Sequence, residues 1–172
     1  MTFRSTNGRV LLRACAPEDA DVLYGDLVGT RVTDTIVWDG PESLEEYRQG
    51  LRERGCLTRA RALHLFTVVD TSTNGPIGTI DVRRASDGTW TTGLWIAERV
   101  QGRGLGTDAV EAITRYAVDE LGLSTVEAHV FVGNEASRRV FEKNGYGLTE
   151  TRPGAVTKRG RTIDEWVLVH RV

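Results

Sequence analysis

Thr91-Thr92-Gly93-Leu94-Trp95-Ile96-Ala97, followed by Gln101-Gly102-Arg103-Gly104-Leu105-Gly106-Thr107, decides how this 172-residue chain is read. The first run is strand-like and the second is a glycine-rich turn. Beyond it Val110, Ile113, Tyr116, Ala117 and Leu121 recur at helical spacing, up to Gly122, a residue suited to a helix stop. The order is strand, glycine turn, helix. Glycine lets the backbone turn tightly and approach a ligand without a Cβ in the way. The helix's first turn then offers unpaired N–H groups and the positive end of its dipole. Both favour an anion such as a phosphate or pyrophosphate.

Two common phosphate motifs are excluded. The Walker pattern ends in Gly-Lys-Ser/Thr, and no lysine stands here. The dinucleotide fingerprint needs a third glycine at position 107, which is Thr107. Downstream, Thr125 to Val132 alternates and is β-branched enough for a strand. Gly133 breaks it. Asn134 is placed to cap a short helix from Glu135 to Asn144, which Gly145 ends.

Gln101-Gly102-Arg103-Gly104-Leu105-Gly106 resembles the pyrophosphate-binding loop of the GCN5-related N-acetyltransferases (GNAT superfamily). Asn134-Glu135-Ala136-Ser137-Arg138-Arg139-Val140-Phe141-Glu142-Lys143-Asn144-Gly145-Tyr146 is similar to that family's second signature, in its RimJ/RimL-like version. The likeness extends weakly over nearly the whole chain, through Leu12-Arg13 with Pro17-Glu18-Asp19-Ala20, through Pro76-Ile77-Gly78-Thr79-Ile80, and to Gly160-Arg161 with Asp164. It implies an acetyl-CoA-dependent N-acetyltransferase acting by direct attack of a primary amine in a ternary complex. The amine would belong to a protein N-terminus, an amino acid or a small molecule. The alternative is a CoA-binding module of the same fold that has lost catalysis. Dimers are common in the family, so a homodimer is compatible with the resemblance.

Bulk properties agree with a single domain over 1–172. Hydrophobic residues make up 40% and charged residues 27%, ordinary for a globular protein with a real core. A net charge of −2 provides no field to draw nucleic acid or an anionic membrane. No apolar run approaches a membrane span, and the start lacks a signal-peptide core. Cys15 and Cys56 suggest no disulfide framework, so a reducing cytoplasm is the expected setting. No cluster has metal-ligand spacing.

Along the chain, Arg9 to Arg13 reads as a strand. Pro17 to Ala20 opens a helix with Val22, Leu23 and Leu27 as its stripe. Ser43 and Glu46 form a capping box for a second helix, running toward Arg59. Leu63–Asp70, Ile77–Arg83 and Trp90–Ile96 make an antiparallel meander that feeds the glycine turn. Gly147–Arg152 and Thr162–His170 are further strands, with a basic turn over Val156 to Arg161. The strand-turn-helix-strand unit makes one strand pair parallel, with a right-handed crossover. The fold class is α/β (α+β): a mixed, mostly antiparallel sheet with flanking helices. The resemblance adds that the parallel pair is splayed to admit the pantetheine arm.

The site follows from the same resemblance. Gln101, Gly102, Arg103, Gly104, Leu105, Gly106 and Thr107 are the pyrophosphate cradle. Leu94, Trp95 and Ile96 offer backbone groups to the pantetheine and the thioester carbonyl. Asn134, Ser137 and Phe141 complete the cofactor side. Phe141 stands where many relatives place an acidic tyrosine, so the proton donor to the leaving thiolate is Ser137 or nothing. Glu127 and His129 share a strand face and are alternative bases, with Asp81 and Glu98 behind them. Trp38 and Trp90 are candidate walls for the acceptor. No residue has the local partners of a covalent nucleophile.

Overall fold

The computed structural model describes residues 2–54 and 62–172. The strands are β1 (Thr2–Arg4), β2 (Val10–Ala14), β3 (Leu63–Asp70), β4 (Gly75–Arg84), β5 (Trp90–Ile96), β6 (Thr125–Phe131), β7 (Gly147–Lys158) and β8 (Arg161–Arg171). The helices are α1 (Ala20–Leu27), α2 (Leu44–Arg54), α3 (Leu105–Arg115) and α4 (Glu135–Glu142). One sheet contains all the strands, in the order β1-β2-β3-β4-β5-β6-β8-β7. Every neighbouring pair is antiparallel except β5 and β6.

That parallel pair is short. Thr91 pairs with Glu127 and Thr92 with Ala128, and there the register ends. Gly93–Ile96 and the residues from His129 to Phe131 diverge without pairing across the gap. The splay implied by the family resemblance is therefore present.

The two faces of the sheet have separate cores. On one face the apolar stripe of α3, including Leu105, Ala109, Val110 and Ile113, packs on Phe66, Val68, Ile80, Val82 and Val130. The helix continues into a wider π turn at Tyr116–Glu120. Tyr116 is buried against Phe66, and its hydroxyl pairs with Nδ1 of the buried His64 at 2.8 Å. On the other face Leu23 and Leu27 of α1 and Tyr47 and Leu51 of α2 enclose Val32 and Trp95. Alternation along β5 sends Leu94 and Ile96 to the first core and Trp95 to the second. Val22, expected in the α1 stripe, is exposed.

Three other expectations change. The three-residue β1 is too short to show a period, and it adds an edge strand. The basic turn contracts to Arg159-Gly160, with both φ positive (+48° and +74°), because a two-residue primed turn matches the strand twist. Lys158 and Arg161 are thus paired strand residues. Extension of α2 toward Arg59 and the state of Cys56 lie outside the described residues. The α2 cap forms as expected at Ser43, whose Oγ accepts from the Glu46 N–H at 3.1 Å. The Glu46 side chain, however, reaches the N–H of Glu42 instead of Ser43, at 2.7 Å.

Candidate active site

A cleft of about 1170 Å³ passes through the sheet at the gap between β5 and β6. Its first end lies over the glycine turn. Gly102 and Gly104 have φ of +76° and +84°, the left-handed region where glycine costs least. Gly104 is the N-cap of α3, and the first helical bond runs from the Asp108 N–H to its carbonyl at 3.1 Å. The N–H groups of Leu105, Gly106 and Thr107 precede that bond and have no helical acceptor. Gly102, Gly104, Leu105, Gly106 and Thr107 all line the cleft. A Cβ on Gly106 would meet Leu94, Val140 and Ile96 at 3.6 to 3.9 Å, so the first turn of α3 sits directly against the apolar lining of the cleft. These features fit a pyrophosphate.

Gln101 has a structural task. Its Nε2 donates to the Ile96 carbonyl at 2.9 Å, satisfying a backbone group on the strand that has lost its neighbour. Arg103 departs from the expected role. Its side chain is absent from the cleft lining and leans toward Asp70 at 3.6 Å, while its carbonyl receives the Arg9 guanidinium. Bonds from Ser72 hold the Asp70 carboxyl below the ordinary range, with Arg103 and Arg9 adding to the effect. Arg31, Arg54 and Arg83 line the cleft, as do Arg139 on α4 and Lys143 just past its end. Sequence reading quoted Arg139 and Lys143 without a role; their helical spacing with Ala136 and Val140 was the available signal.

Asn134 caps α4, its Oδ1 accepting from the Ser137 N–H at 3.2 Å. Asn134, Ser137 and the buried Phe141 all line the cleft. Phe141 packs edge-on to Tyr146 at 5.2 Å, which closes the apolar side of the passage. Asn144 Nδ2 donates to the Thr107 carbonyl at 3.1 Å and thereby ties the end of α4 to the start of α3.

Beyond the gap, the second end of the cleft is polar. Asp81 and Arg83 lie on β4, His129 on β6 and Glu165 on β8. Arg83 grips Asp81 at 2.5 and 2.7 Å, and its guanidinium lies above Gly93, where a Cβ would stand 3.1 Å from Nη1. Burial pushes the Asp81 carboxyl up, against the pull of Arg83. His129 stands between two carboxylates: Nε2 is 3.1 Å from Glu127 and Nδ1 is 3.5 Å from Glu165. The two bases weighed as alternatives are therefore hydrogen-bonded to each other. His129 lines the cleft and Glu127 stands behind it. Glu165 was missed in the sequence because it falls inside an alternating strand, where a carboxylate reads as solvent-facing. It is buried.

Trp38 lines this end, with its ring 5.9 Å from that of Tyr47. Tyr47 lines the cleft too; its hydroxyl is buried, has no hydrogen-bond partner among the described residues, and stays neutral because burial pushes its pKa up. Trp90 does not line the cleft. Strand parity turns it to the α3 face, where it packs on His64. Cys15, half-buried beside the second core, has its thiol pushed up by burial to about 11 and carries no thiolate near neutrality. Among the described residues no group of side chains has the arrangement of a metal site, and no helix is long and apolar enough to cross a membrane.

The profile of the acetyltransferase (GNAT) domain matches residues 9–147. The probable N-acetyltransferase YjcK of Bacillus subtilis is 33% identical over 123 residues, or 72% of this chain and 60% of YjcK. Among the first curated relatives, the matched part spans between 21% and 60% of their length. An acetyltransferase (GNAT family) from Bacillus anthracis has the same fold, with a TM-score of 0.85 at 20% identity over 99% of this chain and 98% of that one. RimL, a ribosomal L7/L12 alpha-N-protein acetyltransferase solved with coenzyme A, gives 0.85 at 16% over 99% and 98%. At such identities the structures speak for fold alone. The profile covers most of the chain, the glycine turn and α4 included, and on that ground the chain belongs to the GNAT acetyltransferase family.

Proposed function

We propose that the protein moves an acetyl group from acetyl-CoA to a primary amine by direct attack. The observation that carries this reading is the continuity of one cleft from the glycine turn, through the strand gap, to a polar end holding His129 and Glu165. RimL, solved with coenzyme A, shares the arrangement of elements. When bound, acetyl-CoA would supply an activated thioester. The N–H groups from Gly102 to Thr107 would hold its pyrophosphate, with Arg139 and Lys143 adding charge. The unpaired stretch of β5 and β6 would border the pantetheine, and Phe141 would keep water from it. The chain's own residues then have a proton to manage. An incoming ammonium meets Glu165 and His129 at the polar end, and Glu127 lies behind His129 on the way out. The proton passes along these groups. The acceptor is a free amine of a protein N-terminus, an amino acid or another small molecule.

Gly106→Asp tests the cradle. The helix dipole favours an aspartate in the first turn, and thermal melting checks that the variant folds with Leu94, Val140 and Ile96 as neighbours. The added charge one residue into α3 repels a bound pyrophosphate. Calorimetry should show CoA affinity falling more than ~10-fold, or above ~1.4 kcal/mol. Unchanged affinity would remove the cradle. Thiol release from acetyl-CoA across free amines and N-terminal peptides tests transfer. Tight CoA binding with no release on any amine would favour the inactive binding module, the reading that Phe141 in place of a tyrosine keeps open.

Ser137 lies one turn before Phe141 on the same face of α4, so its hydroxyl can assist the departing sulfur as a weak donor. Ser137→Ala should lower kcat by about 10- to 100-fold and leave the CoA dissociation constant in place. A variant as fast as the parent would show that the thiolate leaves unassisted.

A further inference from the structure

The acceptor end of the cleft has an irregular wall, Ile36–Gly40, between a short 3-10 turn (Arg31–Thr35) and α2. Val37 and Trp38 are exposed, at 61% and 37%, and both line the cleft. No strand or helix holds this stretch, yet the tip of the β7–β8 hairpin grips it from a distance in sequence. The Lys158 ammonium, 6% exposed, donates to the carbonyls of Val37 and Trp38 at 3.2 Å each and to Asp39 Oδ1 at 2.6 Å. Its three donors are all used on the wall. Arg159 adds Nε to Asp39 at 3.1 Å, Nη1 to Asp34 at 2.8 Å and Nη2 to the Thr33 hydroxyl at 3.3 Å.

Burying an ammonium is costly unless its bonds are met, and a surface tether would need no such arrangement. The two backbone carbonyls fix the path of the main chain at Val37 and Trp38. Side-chain pairing alone would leave that path free. The left-handed turn at Arg159-Gly160 sets the direction of Lys158, so the hairpin tip and the wall are one mechanical unit. Lys158 also holds the Asp39 carboxyl below its ordinary range by its hydrogen bond, with Arg159 adding to the effect.

We infer that Lys158 and Arg159 form a clamp that sets the position of the Trp38 wall, and that they are positioning residues for the acceptor amine and not for the acetyl donor. This rests on the transferase reading for what the wall receives. The clamp touches neither the glycine turn nor α4, so the donor end should not register its loss.

The experiment uses Lys158→Met, which keeps the stem and removes the donors, beside Arg159→Gln and Lys158→Arg. Hydrogen–deuterium exchange is followed at the amides of residues 33–40 and 102–107, and CoA is titrated calorimetrically. In Lys158→Met, exchange at 33–40 should rise by at least ~10-fold, while exchange at 102–107 and the CoA dissociation constant stay within about 2-fold of the parent. Lys158→Arg should recover part of the protection, since its fork can still reach the carbonyls. On any amine or N-terminal peptide that the parent acetylates, Lys158→Met should raise the acceptor KM by ~10-fold or more with kcat within about 3-fold, a loss of uniform binding. Unchanged exchange at 33–40 overturns the clamp. So does a parallel loss of CoA affinity, or a fall in kcat with the acceptor KM unmoved. If the parent acetylates no amine, the transferase reading falls and exchange alone decides the clamp.

Discussion

Gly78→Ala is expected to cost about 3 kcal/mol of stability, at the upper end of what overpacking usually does. Gly78 pairs with Ile96 across β4 and β5. A Cβ built there would lie 2.1 Å from the Trp95 carbonyl oxygen and 3.1 Å from the Ile96 Cα. Both are backbone atoms of the strand bordering the gap, so no side chain can swing aside. The strands must part, or the variant must unfold. Opposite Gly78, β3 already has a register irregularity between Val68 and Val69, so the ladder has little slack. For a domain of this size the melting temperature should fall by about 6–12 °C. Gly25→Ala is the control. It lies within α1 with nothing within 4 Å of its Cβ, and the same change there should stabilise by roughly 0.5–1 kcal/mol. A Gly78→Ala variant that melts with the parent would mean the strand approach is looser than described.

The second large effect concerns proton removal. With an acceptor that the parent acetylates, His129→Gln should lower kcat by ~100-fold or more, within the usual reach of acid–base catalysis. Glu165→Gln should approach the same loss, because it takes the carboxylate from the cleft end of the chain of contacts. Groups that act as a unit are grossly non-additive. The double variant should therefore lose little beyond the worse of the two singles. CoA affinity should survive in all three, since none of these side chains touches the glycine turn. Multiplying effects in the double variant would separate Glu165 from His129. An unaltered kcat in His129→Gln would leave Asp81, whose carboxyl burial has raised, as the group to replace next.

The parts legible in the sequence were those set by local rules. The glycine turn, the α3 stripe and the Asn134 cap depend on neighbours within a few residues, and period and capping chemistry reveal them. The parallel pair followed from the strand-helix-strand order. What escaped depended on distant partners. Glu165 becomes a cleft residue only because β8 lies beside β6, a pairing that alternation does not choose. Trp90 was placed on the wrong side because its parity relative to the gap was not assigned. Arg103 turned away from its expected phosphate since Asp70, on another strand, draws it. Lys158 read as part of a basic turn, and nothing near it in sequence announces the carbonyls it binds.

The gap between β5 and β6 turns the sheet from a wall into a partition with a doorway. The glycine turn stands toward one end of the cleft and Trp38, Tyr47 and Glu165 toward the other, so on the proposed reading donor and acceptor would enter from opposite ends. On that reading neither would need the other to leave before it enters, and the spent carrier and the modified amine would leave by opposite ends. A large acceptor, even the end of a folded polypeptide, would then never have to negotiate the space that the nucleotide end of the carrier fills.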